Sequence, residues 1–411
     1  MMRPPLVGIV TALLVAAVLV RVTPLVAAVR VPTGETARDF VQEYMLGRAV
    51  LLGVNPYLSQ PQLAAQVFTP AVGAVLNHPV PHPPLVALLS TPLARLSYPV
   101  ASLMWLALSL VCAALTVTLV GRGRGASTAT TALVFALFLL WPPLMNELVY
   151  GQLNLPLATL LTGAWLAERS GRSRLAGGLL AVAAALKLYP AVMAAVFLLQ
   201  RRRQAVLWFV VVFGLLALAT TAALGWDTMA AYLAAGLPAT QQYLVEEGNL
   251  TLTGAVLRTT LGSAQLAPLV DLGRWSYLLA AAVLVSVAVR GAYLVGHSPS
   301  WDLAYALGLC LMLLLQPLGW LLYLSVTLLA LWLLWERGAY RTVLIALILA
   351  SITPGPLGDL GLWLVQVRGG DAASYPLPAL AGLPLLLQTA APLILAWAVG
   401  REIRTEMGSE A

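Results

Sequence analysis

The sequence predicts an all-α, polytopic membrane protein, and three observations carry that prediction. Of its 411 residues, 60% are hydrophobic and 9% are charged, whereas a soluble domain carries about 25% charged residues. Apolar runs close to the roughly 20 residues that a spanning helix needs recur along the whole chain. The period-2 alternation of a membrane β-barrel is absent from the sequence, so helices are expected to cross the bilayer.

Clusters of basic residues between the apolar runs predict the topology. The clusters are 121–125, 168–174, 201–203 and 401–404. Basic loops stay on the cytoplasmic side of a membrane, so the net charge of +7 indicates orientation rather than nucleic-acid binding. Cys112 and Cys310 fall inside apolar runs, which favours packing roles over a disulfide or a metal site.

The first apolar run, 6–29, predicts an uncleaved first span with a cytoplasmic N-terminus, because a signal peptide has a shorter apolar core. A first outer loop, 33–98, follows it. The stretch 82–97 in this loop is apolar, short and flanked by proline, which predicts an interfacial or half-inserted helix rather than a crossing. The loop is therefore expected to carry juxtamembrane helices on the extracytoplasmic face.

The remaining chain predicts further spans and a second outer segment, 225–274. Single spans are expected at 99–120, 128–145, 153–167, 205–224, 275–289, 303–315, 318–335, 343–353 and 378–399. The segment 175–200 has a basic cluster at each end, so it should cross twice as a hairpin whose apex contains Pro190. The total is about twelve crossings in one membrane domain, residues 1–411, with both termini cytoplasmic.

Charge in the first outer loop needs an explanation, since its neighbours are almost purely apolar. Asp39 stands at the start of a helical-looking stretch, and Glu43 follows one turn later. A carboxylate at the membrane boundary can act as a general base that accepts a proton from an attacking hydroxyl. The alternative is a charge at a helix N-terminus that complements the helix dipole.

Lys187 is the only lysine of the chain and lies within an apolar run. An ammonium in that position is costly unless it meets an anion or a water-filled cavity. A lipid-linked phosphate would supply the anion, and a structural contact with helix-end carbonyls or a carboxylate is the alternative. Arg258, nine residues after Asn249, could likewise bind phosphate bidentately or extend from an interfacial helix to water.

The sequence offers little support for a metal or a cofactor. His78 and His82 have a spacing that suits metal ligands on a helix, but Pro79 and Pro81 exclude a regular helix between them. His82 is therefore expected to be a hydrogen-bonding residue. Motifs for nucleotide, dinucleotide, zinc or nucleophile sites do not occur in a supporting context, so no metal and no cofactor are expected.

Six stretches in order resemble glycosyltransferase family 87. They are ARDFVQEYMLGRAVLLGVNPY, HPPLVALLSTPLARL, GQLNLPLATLL, AGGLLAVAAALKLYPAV followed by RRR, NLTLTGAVLR, and QPLGWLLYLSV. The resemblance covers roughly residues 1–335. It implies a GT-C fold enzyme of the cell membrane that transfers a hexose, mannose first of all, from a polyprenyl-phosphate donor to an extracytoplasmic glycolipid or glycan, with inversion.

The resemblance also implies the site. Asp39 would be the catalytic base of the first outer loop, and the stretch from Lys187 to Tyr189 would lie at the lipid-phosphate end of the cavity. The substrate-binding candidates are Tyr44, Asn55, Tyr57, His82, Gln152, Asn154, Lys187, Tyr189, Asn249, Arg258 and Tyr323.

Two positions depart from the family pattern. Leu322 stands where the family has histidine, and His82 stands where relatives usually carry an aromatic residue. These departures leave open an altered donor, an altered acceptor or an inactive scaffold. A transporter or flippase for a lipid-linked or small polar solute is a further alternative, which should show paired ionisable residues near mid-membrane and a repeated half. The single lysine and the acidic first loop favour the enzyme.

Overall fold

The computed structural model describes residue 29 and residues 38–68, 77–352, 354–369 and 376–409. Within these residues the regular structure is helical, and the β-structure consists of two isolated bridges, Ser59 with Pro79 and Leu266 with Leu377. The predicted all-α class is thereby confirmed. The predicted first span, 6–29, lies outside the described residues except for Val29.

The α-helices are numbered here in chain order. They are α1 Phe40–Leu52, α2 Gln60–Val67, α3 Pro84–Ala94, α4 Tyr98–Arg124, α5 Thr128–Leu140, α6 Pro142–Tyr150, α7 Asn154–Arg169, α8 Ser173–Leu186, α9 Met193–Leu199, α10 Arg203–Leu224, α11 Trp226–Ala231, α12 Leu252–Thr260, α13 Trp275–His297, α14 Trp301–Leu315, α15 Leu328–Glu336, α16 Tyr340–Leu349, α17 Pro354–Val367 and α18 Leu386–Ser409. Short 3₁₀ turns include Tyr189–Val192, Leu321–Thr327 and Ala379–Gly382.

Four helical segments in the described part of the chain are long and apolar enough to cross a membrane. They are α4, α10, α13 and the 31-residue segment Ala379–Ser409. The pair α5 and α6 would make a fifth crossing if it counts as one span. Seven shorter apolar helices accompany these segments. Several apolar helices thus fit a membrane protein, while the count of about twelve crossings, the GT-C arrangement and the orientation of the termini stay predictions.

The segment expected as a span at 128–145 forms two helices instead of one, and its crossing of the membrane stays a prediction. The chain bends by 67° between α5 and α6. Trp141 takes extended backbone angles, and Pro142 and Pro143 then begin α6. Proline cannot donate the backbone hydrogen bond that would continue a helix, but it fits the first turn of a new one. The break directs α6 towards the polar residues described below.

Helix α4 is long and apolar, and the residues at its C-terminus explain where it ends. Arg122 and Arg124 occupy its last turn, where cations complement the helix dipole, and Gly125 ends it in the left-handed conformation with φ +69°. Leu103 and Val111 are more than half exposed. An exposed apolar face of this kind suits a lipid environment.

The predicted break near residues 187–190 is confirmed. Helix α8 ends at Leu186, the turn Tyr189–Val192 follows, and α9 begins at Met193. Pro190 lies in that turn and cannot donate a backbone hydrogen bond. Lys187 consequently follows the end of a helix instead of lying within one. The two crossings expected on either side stay a prediction.

The chain forms two compact units. Of the described residues, those within 1–166, 181–188 and 211–239 form the first unit, and those within 167–180, 189–210 and 240–411 form the second. In the first unit α1 packs closely on α3, since a Cβ on Gly47 would lie 2.7 Å from the Ser90 carbonyl. In the second unit α14 is buried along its length and packs against α18. The single membrane domain of residues 1–411 stays a prediction.

Candidate active site

Arg38 fixes the start of α1 through four hydrogen bonds in the first unit. Its Nε donates to the Val149 carbonyl at 2.9 Å and its Nη2 to the Leu148 carbonyl at 2.8 Å. Its Nη1 donates to the carbonyl and the hydroxyl of Ser102 at 2.9 and 2.8 Å. Carbonyls at the end of a helix lack intrahelical partners, so the buried guanidinium satisfies two of them on α6 and joins α1 to α4 and α6.

Gly151 makes the turn that carries the chain from α6 towards the site. It has φ +69°, a conformation that glycine adopts without steric cost. Trp105 Nε1 donates to its carbonyl at 2.6 Å, and a Cβ at this position would lie 2.6 Å from Arg38 Nη2. The turn is therefore held on two sides, and Gln152 follows it.

Gln152 brings Asp39 and Lys187 together. Its Nε2 donates to Asp39 Oδ2 at 2.5 Å, and its Oε1 accepts from Lys187 Nζ at 3.2 Å and from Asn154 Nδ2 at 3.3 Å. These residues are separated by more than 30 positions along the chain, except for Gln152 and Asn154. The structure thus unites four of the residues that the resemblance assigned to the site.

Glu147 anchors this arrangement and was missed by the sequence analysis. Its Oε1 accepts from the backbone N–H of Asn154 at 2.9 Å and its Oε2 from Asn154 Nδ2 at 2.8 Å. The carboxylate caps the N-terminus of α7, where negative charge is stabilising, and it is fully buried. The signal that could have found it is a single acidic residue between two apolar runs, in NELVYGQLN.

Lys187 has acidic neighbours. Attractive electrostatic interactions join its ammonium to Glu147, Glu43 and Asp39. The contact with a carboxylate, which the sequence left open as the alternative for Lys187, is therefore available. The sequence does not show which carboxylates these are, because they come from α6 and the start of α1, which are distant along the chain. A buried ammonium is tolerated where opposite charges and hydrogen-bond acceptors surround it.

Glu43 and His82 form a buried pair beside Asp39. His82 Nε2 lies 3.3 Å from Glu43 Oε1, and the two residues are 5% and 0% exposed. Burial, together with a smaller effect from the negative charge of Asp39, raises the pKa of Glu43 to about 8. Burial also lowers the pKa of His82 to about 3, with a smaller effect from Lys187. At neutral pH the pair is therefore mostly uncharged, and the contact is a polar one rather than an ion pair.

The carboxylate of Asp39 has two properties that suit a general base, an oxygen without a hydrogen bond from the described residues and a raised pKa. One oxygen, Oδ2, is engaged by Gln152, while Oδ1 accepts no hydrogen bond from the residues that the structure describes. The residue is half-buried. Burial raises the pKa of Asp39 above its ordinary value, and the Gln152 hydrogen bond and the charge of Lys187 oppose that rise. A carboxylate with a raised pKa and one oxygen open can accept a proton from a hydroxyl.

The other candidates of the first loop contact the protein itself. Tyr44 donates its hydroxyl to the Leu96 carbonyl at 2.9 Å. Tyr57 donates to the His82 carbonyl at 2.9 Å, and Asn55 Oδ1 accepts from the Tyr57 backbone N–H at 2.9 Å. These bonds shape the loop around His82. Substrate contacts by Tyr44, Asn55 and Tyr57 stay predictions.

Asn249 joins two segments of the second unit. Its Nδ2 lies within hydrogen-bonding distance of the carbonyls of Leu244 and Pro317, at 3.1 and 3.0 Å. Its Oδ1 accepts from the backbone N–H groups of Thr251 and Gly319 at 3.2 and 3.1 Å. The amide is fully buried. These contacts give Asn249 a structural role, and its substrate contact stays a prediction.

Arg258 has one edge of its guanidinium without a partner among the described residues. Nη1 donates to the carbonyls of Glu246 and Asn249 at 2.8 and 2.6 Å. Nε and Nη2 are buried and donate to none of the residues that the structure describes. Burial lowers the pKa of Arg258 to about 10, an effect that the charge of Glu247 opposes, so the group stays cationic at neutral pH.

Tyr189 and Tyr323 stack on each other in the second unit. Their ring centroids are 5.5 Å apart with an angle of 16° between the planes. The neighbouring Leu322, at the position where the resemblance expects histidine, is 5% exposed. Among the described residues, no group of three histidine, cysteine or acidic side chains is arranged to hold a metal ion.

Comparison with known families assigns the chain to one of them. The model of glycosyltransferase family 87 matches residues 81–317, which is more than half of the chain. The chain belongs to glycosyltransferase family 87. A search of curated proteins finds no match.

The family 87 match covers a large part of the site. The site residues inside the matched range are His82, Glu147, Gln152, Asn154, Lys187, Tyr189, Asn249 and Arg258. Asp39, Tyr44, Asn55 and Tyr57 precede the range, and Tyr323 follows it. Membership, together with apolar helices of spanning length, supports a membrane glycosyltransferase that acts on a sugar donor and an acceptor.

Proposed function

We propose that this family 87 protein transfers a hexose, with mannose as the first candidate, from a polyprenyl phosphate to an extracytoplasmic glycolipid or glycan. The observation that supports the proposal is the contact between Gln152 and Asp39, beside the chain's only lysine. It places a carboxylate of raised pKa next to a cation, which is what proton removal and phosphate departure require.

In the proposed reaction Asp39 accepts the proton of the acceptor hydroxyl as its oxygen attacks the anomeric carbon of the donor. The bond between that carbon and the phosphate oxygen breaks, and polyprenyl phosphate leaves with the electron pair. A single displacement inverts the anomeric configuration. Asp39 is the general base of this step.

A cation is needed where the leaving phosphate gains charge. Lys187 is one candidate, since its ammonium lies beside Gln152. Arg258 is the other, because its Nε and Nη2 form the edge that binds oxyanions bidentately. The two residues belong to different units, and separate substitutions decide between them. If Lys187 makes the phosphate contact, Lys187→Met should raise the apparent KM for the donor. If Arg258 makes it, Arg258→Met should do so.

A transporter or flippase is a second candidate function with an observation in its favour. Lys187 with three nearby carboxylates is the kind of paired ionisable cluster that carries ions or protons through transporters. Movement of a labelled polyprenyl-phosphate sugar across the liposome membrane, without sugar transfer, would favour this function. An inactive scaffold would show neither activity.

The deciding experiment is sugar transfer in liposomes from radiolabelled polyprenyl-phosphate mannose to a membrane lipid extract. The wild type should transfer the label, and Asp39→Asn should reduce the rate by about 10² to 10⁴-fold. Asp227→Asn is the matched control, since Asp227 is an exposed carboxylate at the start of α11, and it should keep the wild-type rate.

Each outcome bears on the proposal. Equal rates for the wild type and Asp39→Asn would remove Asp39 as the base. If mannose is not transferred, the same three proteins are assayed with other polyprenyl-phosphate hexoses. A lack of transfer from all of them, with folded protein, would contradict the proposed enzyme.

A further inference from the structure

We propose that Gln152 is a positioning residue for the base Asp39, and that it acts by holding the carboxylate in place instead of binding substrate. The inference rests on the proposed function, since it assigns a role in the same reaction. The observation behind it is one side-chain amide whose two ends bind the two charged groups of the site, Asp39 and Lys187.

The contacts of Gln152 leave little capacity for a ligand. Its carbonyl oxygen can accept two hydrogen bonds, and Lys187 and Asn154 supply two donors to it. One of its two amide protons is used by Asp39. The residue is 8% exposed. A substrate would therefore meet at most one remaining proton of a buried group.

The surroundings admit only one orientation of the amide. If the amide were rotated by 180°, its NH₂ group would face the Lys187 ammonium and the NH₂ group of Asn154, which also donate. Its oxygen would then face the carboxylate of Asp39. Both contacts would be repulsive, so the charges on either side determine the orientation of Gln152.

Neighbouring residues hold Gln152 in place from both ends of its backbone. Gly151 before it is held by Trp105, through the 2.6 Å bond to its carbonyl. Asn154 after it is held by Glu147, through bonds to its backbone and its side chain. The amide thus belongs to a buried hydrogen-bonded network, and such networks rigidify a site when their members are satisfied.

The consequence for catalysis concerns both geometry and protonation. With Oδ2 held by Gln152, Asp39 is oriented so that Oδ1 is the oxygen open to the acceptor. Proton transfer and attack need this orientation within a fraction of an ångström. The same bond also stabilises the ionised carboxylate against the effect of burial. Loss of the bond should lower turnover and make the base harder to ionise.

The test measures kcat, KM and the pH dependence of kcat/KM for the wild type, Gln152→Met and Gln152→Glu. Gln152→Met should lower kcat by about 10 to 100-fold with little change in KM, and the fall in activity on the acid side should move to higher pH. Gln152→Glu should move it further, because it sets a second carboxyl group against Asp39.

Gln200→Met is the matched control. Gln200 is a half-buried glutamine of the second unit whose Nε2 donates to the carbonyls of Val295 and Ser298. Its loss should lower thermal stability without moving the pH profile of the folded enzyme. A purely structural role of Gln152 would give the same result as this control and would overturn the inference.

Two further outcomes would also overturn it. A raised KM for the acceptor at unchanged kcat in Gln152→Met would indicate a substrate ligand. The second is a double-mutant cycle of thermal stability with Asp39→Asn and Gln152→Met. If the loss in the double variant equals the sum of the two single losses, the two side chains do not interact. This cycle needs no enzymatic activity. If the wild type transfers no sugar, the proposed function and the positioning role fail together, and the cycle still reports whether Gln152 holds Asp39.

Discussion

A side chain at position 151 would occupy the space that the Arg38 guanidinium fills, since its Cβ would lie 2.6 Å from Arg38 Nη2. Gly151→Ala should therefore displace Arg38 as well as strain the turn. We expect a loss of about 3 kcal/mol or more in the free energy of unfolding, from the left-handed backbone and the broken hydrogen bonds together. Thermal unfolding of purified protein measures it.

Gly53→Ala is the matched control for that substitution. Gly53 ends α1 with φ +67° and has no atom within 4 Å of an added Cβ. It should cost only the strain of the left-handed backbone, about 1 to 2 kcal/mol. Equal losses for the two variants would mean that the space around Gly151 is not filled by Arg38.

Arg38→Met should destabilise the first unit strongly. The substitution removes four hydrogen bonds and leaves the carbonyls of Leu148, Val149 and Ser102 without these donors. An unsatisfied buried polar group costs about 1 to 3 kcal/mol, so a loss of about 3 kcal/mol or more is expected in thermal unfolding. The Arg38→Met protein that remains folded should also have a lower kcat, because Asp39 directly follows Arg38 in the chain.

The control for Arg38→Met is Arg48→Met on the same helix. Arg48 is half-buried, and within the described part of the chain its side chain makes one long bond, 3.5 Å, from Nη1 to the Ala94 carbonyl. Its replacement should cost about 1 kcal/mol or less. A similar loss from both variants would contradict the anchoring role of Arg38.

Glu43→Gln should stabilise the protein increasingly as the pH rises. Between the ordinary pKa of 4.5 and about 8, the unfolded chain ionises Glu43 while the folded protein keeps it protonated. The folded state then binds more protons, so the wild type loses stability with rising pH through this window. The neutral variant lacks that loss, and its melting temperature minus that of the wild type should grow from pH 5 to pH 8.

The comparison with the wild type removes the opposite effect of His82. The pKa of His82 is lowered by burial to about 3, so its contribution to stability rises with pH up to about 6.5, equally in both proteins. Glu402→Gln, which changes a side chain bonded to the exposed Arg401, is the surface control. A difference that is flat with pH would show that Glu43 ionises in the folded state as it does in the unfolded chain.

Asn249→Ala should affect the free energy of unfolding more than it affects the rate of catalysis. The amide joins Leu244 and Thr251 to the segment that holds Pro317 and Gly319. Loss of these buried bonds should lower the free energy of unfolding by about 3 kcal/mol. The exposed Asn55, whose side chain bonds the Tyr57 backbone, is the control, and Asn55→Ala should cost about 1 kcal/mol.

The result for Asn249 separates structure from substrate binding. If folded Asn249→Ala keeps the wild-type stability but has a raised KM, the substrate contact that the resemblance implies would stand and the structural role would fail.

Much of the fold follows from the pattern of apolar runs. A bilayer requires every backbone group to be satisfied within the segment, so long apolar runs such as those of α4 and α10 form helices wherever they occur. The break at Pro190 was also predictable, because proline removes a backbone donor. The bend at Trp141 was not predicted, although Pro142 and Pro143 carry the same signal of a missing backbone donor.

The sequence identified individual residues of the site, but it did not show which of them lie together. A lysine within an apolar run and an acidic residue at the start of a helix attract attention, because charge is costly near a membrane. Lys187 and Asp39 were found in this way, and the resemblance added Gln152 and Asn154. Glu147 was missed, because its backbone partner appears only once the turn at Gly151 is formed.

Composition and the spacing of apolar and basic residues were sufficient to establish a helical membrane protein, since the bilayer acts on every segment separately. The pairing of Gln152 with Asp39 and Lys187 could be established only by folding. These residues come from α1, the Gly151 turn and the end of α8, and their spacing along the chain carries no information about distance. Each charge is costly alone, and it becomes tolerable only when packing of the helices brings an opposite charge or an oriented amide to it.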